Sequence, residues 1–275
     1  MTAHPALLRL RSGHTEASIA PHRGAIVTSF RSANRELLYL DEATFNDASK
    51  NVRGGIPVLF PTPGKLVGDR WSYAQHSGEL AQHGFARNLP WRIAASDESS
   101  AVLVLISSES TRGAYPWDFE AQLTYTVAPS ALSIEFTVKN TSAASMPFAF
   151  GLHPYFLVRD KAAARIPTGA TRAFDNVSKA TVPFRGFDLT QPEVDLHLLD
   201  HDGTRGELAL GDGARITIDT SPEFIRWVVW TVSGKDYVCL EPWTAPGNAL
   251  NTGEGILVLE PQASQRLTVT ITSVT

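Results

Sequence analysis

The sequence predicts an all-β protein, a large antiparallel β-sandwich formed as one domain over residues 1–275. Three observations carry this. Apolar residues recur in strict alternation or in short continuous runs, and helical periodicity is scarce. The runs are separated at short intervals by Gly, Pro, Asn and Ser. No low-complexity linker or internal repeat divides the chain. Many short strands with turn signals and no long helix indicate a sandwich or barrel.

The elements follow in chain order. Residues 25–30 and 36–39 read as strands with a turn at Ser32-Ala33-Asn34. Residues 101–106 are a continuous apolar run, suited to a buried strand. Phe119, Ala121, Leu123, Tyr125 and Val127 alternate with polar residues, as do Leu132, Ile134, Phe136 and Val138. Pro129-Ser130 between them predicts an antiparallel hairpin with one wet face. Ile216 and Ile218 open another strand, and residues 224–232 and 237–240 pair across Ser233-Gly234-Lys235-Asp236. Residues 256–259 and 267–271 close the chain. Two stretches break the pattern. Residues 51–87 are too long for an ordinary connection, which makes them functional or disordered. Trp71, Tyr73 and Phe85 argue against disorder. Residues 241–254, rich in Pro, Gly and Asn, read as a second loop after a strand that ends near Glu241.

Composition narrows the function. Net charge is −4 and basic residues form no long run, so nucleic acid and anionic membranes are poor partners. The single cysteine, Cys239, excludes an intramolecular disulfide and a cysteine-based zinc site. No 18-residue apolar run marks a membrane span, and residues 1–11 lack a signal-peptide pattern. A cytoplasmic location is expected.

Three constellations could carry chemistry. In Phe148-Ala149-Phe150-Gly151-Leu152-His153-Pro154-Tyr155-Phe156, one titratable side chain sits among apolar and aromatic residues. His153 is a candidate general acid or base, or a packed histidine at a strand corner where Pro154 interrupts pairing. The long loop begins with Arg53-Gly54-Gly55-Ile56-Pro57 and ends with Gln82-His83-Gly84-Phe85-Ala86-Arg87. Arginine forks suit vicinal hydroxyls, carboxylates or phosphates, so Arg53, Gln82, His83 and Arg87 suggest a polar ligand pocket; the alternative is ordinary loop structure. In Val238-Cys239-Leu240-Glu241-Pro242-Trp243, period two places Cys239 and Glu241 on one face. Burial would raise Glu241 toward the working pH of a general base, and Trp243 offers a flat wall for a sugar ring. The alternative is an edge glutamate paired with an arginine. Asp195 and His197 share the polar face of an alternating strand, while Asp200, His201 and Asp202 form a turn. His83, His153 and Glu241 could together hold a metal, but no His-x-His or His-x-x-x-His spacing supports it. Neither a phosphate-binding glycine loop nor a serine-nucleophile elbow is present.

In order along the chain, Arg53-Gly54-Gly55-Ile56-Pro57-Val58-Leu59-Phe60-Pro61, Gln82–Arg87, Gly151–Phe156 and Leu240–Trp243 resemble the motifs of the aldose 1-epimerases, or galactose mutarotase-like proteins. The resemblance spans most of the chain and implies that family's β-supersandwich. It implies that His153 is the catalytic acid and Glu241 the catalytic base. Arg53, Gln82 and Arg87 match substrate contacts of the hexose-6-phosphate branch, and His83 a substrate-binding histidine of the free-sugar branch. Asp195 is assigned as the substrate-binding aspartate, with Asp200 as rival. Where free-sugar enzymes carry Asn-Arg and His-Gly-Gly, this chain has Thr62-Pro63-Gly64 and His83-Gly84-Phe85, which shifts weight toward phosphosugars.

The expected function is interconversion of the α and β anomers of an aldohexose by acid–base ring opening, with glucose-6-phosphate 1-epimerase as the alternative. No cofactor is implied; the partner is a small sugar or sugar phosphate, and the chain is a monomer or homodimer. A non-catalytic carbohydrate-binding protein and a glycoside hydrolase are the readings from other classes. The hydrolase would need a second distinctive carboxylate.

Overall fold

A computed structural model describes residues 6–201 and 203–274. The stretch read for a signal peptide, residues 1–11, lies partly outside these, and Asp202 lies wholly outside them. Two large antiparallel sheets face each other. The first orders its strands Arg205–Ala209, Arg215–Thr220, Ser264–Val274, Ala131–Asn140, Phe119–Ala128, Ser100–Ile106 and Arg92–Ser96. The second runs Ala180–Pro183, Arg172–Asp175, Glu193–Leu198, Arg226–Val232, Tyr237–Trp243, Gly151–Leu152 and Val58–Leu59, with Tyr155–Leu157 also on Tyr237–Trp243. A four-stranded sheet is built from Leu8–Ser12, Thr15–Ala20, Ile26–Ser32 and Arg35–Glu36. The described α-helices, Glu42–Asn46, Glu109–Arg112 and Ala249–Thr252, are each a single turn. None is long and apolar enough to cross a membrane.

The alternation seen in the sequence produces the central hairpin of the first sheet. Phe119, Ala121, Leu123, Tyr125 and Val127 are buried along one face, opposite Leu132, Ile134, Phe136 and Val138. Ala128 pairs with Ala131, so Pro129-Ser130 is a two-residue loop. Proline followed by a left-handed residue (Ser130 φ 60°) is the arrangement of a type II turn. These side chains meet Val229, Val238 and Leu240 of the second sheet in one contiguous core. Phe136 of the first sheet stacks on Phe150 at the root of the Gly151–Leu152 strand, 4.1 Å between centroids.

The long loop is ordered because its aromatic residues enter this core. Trp71 is buried, and Phe60 packs edge-on or tilted against Phe85, Tyr115, Phe119, Phe136 and Phe148. The loop holds two short hairpin strands, Arg70–Tyr73 and His76–Glu79. One boundary differs from the sequence reading. The strand expected to end near Glu241 continues to Trp243, because Glu241, Pro242 and Trp243 pair with Val228, Trp227 and Arg226. Glu241 therefore lies inside the strand, and the second loop begins only after Trp243.

Candidate active site

The site is set by register across the second sheet. Trp243 pairs with Gly151 on one side and Arg226 on the other. Cys239 pairs with Tyr155 and Trp230. Between these rows the ladder is interrupted at His153-Pro154, as a residue without an N–H requires. Counting inward from both pairs puts His153 opposite Glu241. The next strands extend the two rows: His197 pairs with Val228, beside Glu241, and Asp195 pairs with Trp230, beside Cys239. Cross-strand partners share a face. Val238 and Leu240 join the main core, so Cys239, Glu241 and Trp243 point the other way. A cavity of about 1010 Å³ stands on that face, with loop residues such as Arg53, Gly64 and His83 among its walls.

His153 Nε2 lies 3.4 Å from Glu241 Oε1, with both residues buried. The His153 backbone N–H donates to the Pro57 carbonyl, and its ring stacks on Tyr155 at 4.7 Å. Trp243 Nε1–H donates to Glu241 Oε2 at 3.1 Å, fixing the carboxyl plane. Burial pushes the Glu241 carboxyl well up, with a further push from Asp195 and a partial offset from the Trp243 donor. Burial, with the Arg87 and Arg53 charges, pushes His153 down to about 3. Both directions favour a neutral pair, with the shared proton on Glu241, over the charge-separated one. The charge-separated form, His153 imidazolium with Glu241 carboxylate, has the same proton count and differs only by transfer along the 3.4 Å contact.

The loop residues frame the pair. His83 has a left-handed backbone (φ 71°), and its Nδ1 accepts a hydrogen bond from Gly64 N–H at 3.1 Å. Burial, then the charge of His153, keeps its pKa well below the usual range. Accepting at Nδ1, neutral His83 carries its proton on Nε2, which can pair with the adjacent Gln82 side chain only through its amide oxygen. Gly84 must be glycine, since a Cβ there would lie 2.2 Å from the Phe60 carbonyl oxygen. Arg87 donates to the Gln82 carbonyl at 2.9 Å, and burial lowers its pKa to about 10. Arg53 lies over the Trp230 ring at 5.3 Å. Among the described residues neither arginine has a carboxylate partner.

All seven residues singled out as the site, His153, Glu241, Arg53, Gln82, His83, Arg87 and Asp195, line this one cavity. Asp195 is held by Asn176 Nδ2–H at 2.6 Å and lies 3.5 Å from His197. Asp200 is elsewhere, binding the Thr171 hydroxyl and the backbone N–H groups of Thr171 and Arg172. Sequence reasoning passed over Tyr155, Trp230, Glu193 and Asn176. Trp230 Nε1–H donates to Glu193 at 3.0 Å, which orients its ring beneath Arg53. The signal for Trp230 was its two-residue spacing from Val228 and Arg226 inside an apparently uniform apolar run. His83 with His153 and Glu241, a trio that no spacing supported, is not among the converging ligand groups of the described residues. Among the described residues, the buried group of potential ligands is His153, Cys239 and Glu241, with ligand atoms all within 4.8 Å of one another. A single cysteine excludes a multi-cysteine site, yet not this mixed one.

The two facing antiparallel sheets, with a buried carboxyl–imidazole pair in the cavity wall of one of them, define a β-sandwich with a candidate proton-transfer site. The chain belongs to the aldose 1-epimerase family, whose model matches residues 6–272. A Cenchrus ciliaris protein named "Putative glucose-6-phosphate 1-epimerase" is 27% identical over 255 residues, covering 80% of this chain and 72% of its own length. A Salmonella typhimurium protein of the same name is 30% identical over 163 residues, 58% of this chain and 51% of that protein. Among solved structures, Slr1438 from Synechocystis sp. PCC 6803 is similar at TM-score 0.95 and 35% identity, covering 99% of this chain and 96% of that one. A galactose mutarotase-like protein from Lactobacillus casei shares the fold at TM-score 0.80 and 21% identity, covering 98% and 100%.

Proposed function

We propose that the protein is a single-domain aldose 1-epimerase that interconverts the anomers of an aldohexose, with His153 and Glu241 as its proton-transfer pair. The observation that carries this is the 3.4 Å contact between two buried groups aligned by register in the wall of the cavity. A bound sugar whose C1 hydroxyl donates to Glu241, and whose ring oxygen accepts from His153, stabilises the charge-separated form of the pair. Glu241 then takes the C1 hydroxyl proton, the C1–O5 bond breaks as the carbonyl forms, and O5 receives the His153 proton. Rotation about C1–C2 presents the other carbonyl face. Closure reverses both transfers and leaves the enzyme unchanged. Asp195, His83 and Gln82 hold ring hydroxyls, and Trp243 and Trp230 supply apolar walls.

A second reading, a hexose 6-phosphate substrate, is favoured by Arg53 and Arg87. Both face the cavity without a carboxylate partner among the described residues, as phosphate-binding guanidinium groups would. The names of the relatives from Cenchrus ciliaris and Salmonella typhimurium agree. Rates on freshly dissolved α-glucose, α-galactose and glucose 6-phosphate, each corrected for spontaneous mutarotation, test both readings. His153→Ala and Glu241→Gln should each lower the rate by roughly 100- to 10,000-fold. Wild-type rates in both variants would refute the pair. If the substrate is phosphorylated, Arg53→Ala and Arg87→Ala remove the preference for it; an unphosphorylated hexose turned over equally well excludes that reading.

A further inference from the structure

We propose that His153, Cys239 and Glu241 form a binding site for one thiophilic divalent cation of the zinc class, and that the bound cation shuts down the acid–base pair. The register that sets His153 opposite Glu241 also places Cys239 one alternation away, on the same face and directly across from Tyr155. An imidazole nitrogen, a thiol sulfur and a carboxylate oxygen therefore converge within 4.8 Å of one another. Ligand atoms around a tetrahedral zinc are separated by about 3.3–3.8 Å, so small rotamer shifts close the set. The His153–Glu241 contact, at 3.4 Å, already has that spacing.

The chemistry of the set selects the metal. Thiolate with imidazole and one carboxylate favours Zn²⁺ and its analogues Co²⁺ and Cd²⁺ over Mg²⁺ or Ca²⁺, which want oxygen alone. A thiolate and a carboxylate together neutralise a dication, so no net charge is left in this buried wall. Binding displaces two protons to solvent, that of the Cys239 thiol and the one shared by the His153–Glu241 pair. Three protein ligands leave a fourth position. His153 and Glu241 border the cavity whereas Cys239 lies behind them, so that position opens toward the space meant for the sugar. The seven residues of the proposed sugar site do not need Cys239, which leaves the thiol as the group that distinguishes metal binding from catalysis.

Only the inhibitory half of this inference rests on the proposed function. The binding half is read directly, by titrating the full chain with Co²⁺ in the presence of a non-thiol reductant. One equivalent should produce thiolate-to-cobalt charge-transfer absorption in the near ultraviolet, which Zn²⁺ then bleaches. Cys239→Ser should abolish that band and weaken Zn²⁺ binding by at least the roughly 10- to 100-fold that loss of a supporting partner costs a metal site. It should keep mutarotation near wild type while losing zinc inhibition, and a chelator should restore the wild-type rate. Absence of the band in the wild-type protein overturns the proposal, as does equal cobalt or zinc response in Cys239→Ser. Circular dichroism checks that the variant folds, and Cys239→Ala repeats the comparison where serine is not tolerated. A chain with the cobalt band but no mutarotation would keep the metal site and refute the enzyme reading instead.

Discussion

At the scale of single residues, the site depends on two groups whose environments oppose their ordinary charge states. Burial drives Glu241 up and His153 down to about 3, and both shifts favour the neutral form of each group. Under the proposed function the working unit is a pair with one shared proton, and the pH–rate profile reports the pair rather than either residue. Protonation of both partners removes the base, and loss of the shared proton removes the acid. Enzymatic mutarotation should therefore be flat across neutral pH. It should fall on the acid side as pH approaches about 3 and on the alkaline side above the raised Glu241 value. A profile with its acid limb near 6.5, the ordinary histidine value, would contradict this. The same burial has a stability consequence. Below the unfolded pKa of about 4.3 the carboxyl is protonated in both states and costs nothing. As pH rises past that value the unfolded chain ionises while folded Glu241 resists, so stability is lost until the raised folded pKa is reached. Glu241→Gln lacks this liability and can keep an acceptor for Trp243 Nε1–H. It should melt higher than wild type at pH 7, and the difference should shrink toward pH 4. A variant that melts lower at neutral pH would show that the carboxyl is net stabilising.

At the scale of elements, the site is a product of register. The four motifs were legible because each is local: a histidine before proline, a glutamate in an apolar strand, and arginines beside glycines on one loop. Their convergence in one cavity was legible only through the family resemblance. What stayed hidden was face membership between strands far apart in sequence. Asp195 and Trp230, like Tyr155 and Cys239, become neighbours through strand pairs that no local pattern encodes. Asp195 and His197 looked like a wet strand face, and they do face solvent, but the solvent of the cavity. Gly151 shows how tightly the register is held. Its position opposite Trp243 leaves no room for a side chain, since a Cβ would lie 2.7 Å from Trp243 Cδ1 and 3.1 Å from Pro63 Cβ. Gly151→Ala must push the indole aside, and with it the donor that orients Glu241. Activity should fall on the order of 100-fold, as a misplacement of about 1 Å does. The melting temperature should fall much less, because the rest of the ladder is untouched. Full activity in this variant would mean that the indole does not hold the carboxyl in its working plane.

At the scale of the whole molecule, the second sheet has a division of labour between its faces. One face enters the core shared with the first sheet, and the other carries the cavity. If the proposed function holds, the first sheet supports the fold without touching the chemistry, and its interior should be separable from activity by mutation. Leu123 is the case to examine. It is fully buried in the strand Phe119–Ala128, between Phe136 on one neighbour and Leu103 on the other. Truncating it removes apolar contact and leaves a void that rigid neighbouring strands cannot fill. Leu123→Ala should cost about 2–5 kcal/mol in urea denaturation. The folded fraction should nevertheless turn over sugar at close to the wild-type rate, since no residue lining the cavity packs on Leu123 through the ladder. Comparing kcat below the unfolding transition with the denaturation midpoint separates the two quantities. A large loss of kcat in well-folded Leu123→Ala would mean that the sheets transmit strain across the core, and that the two faces are mechanically coupled rather than independent.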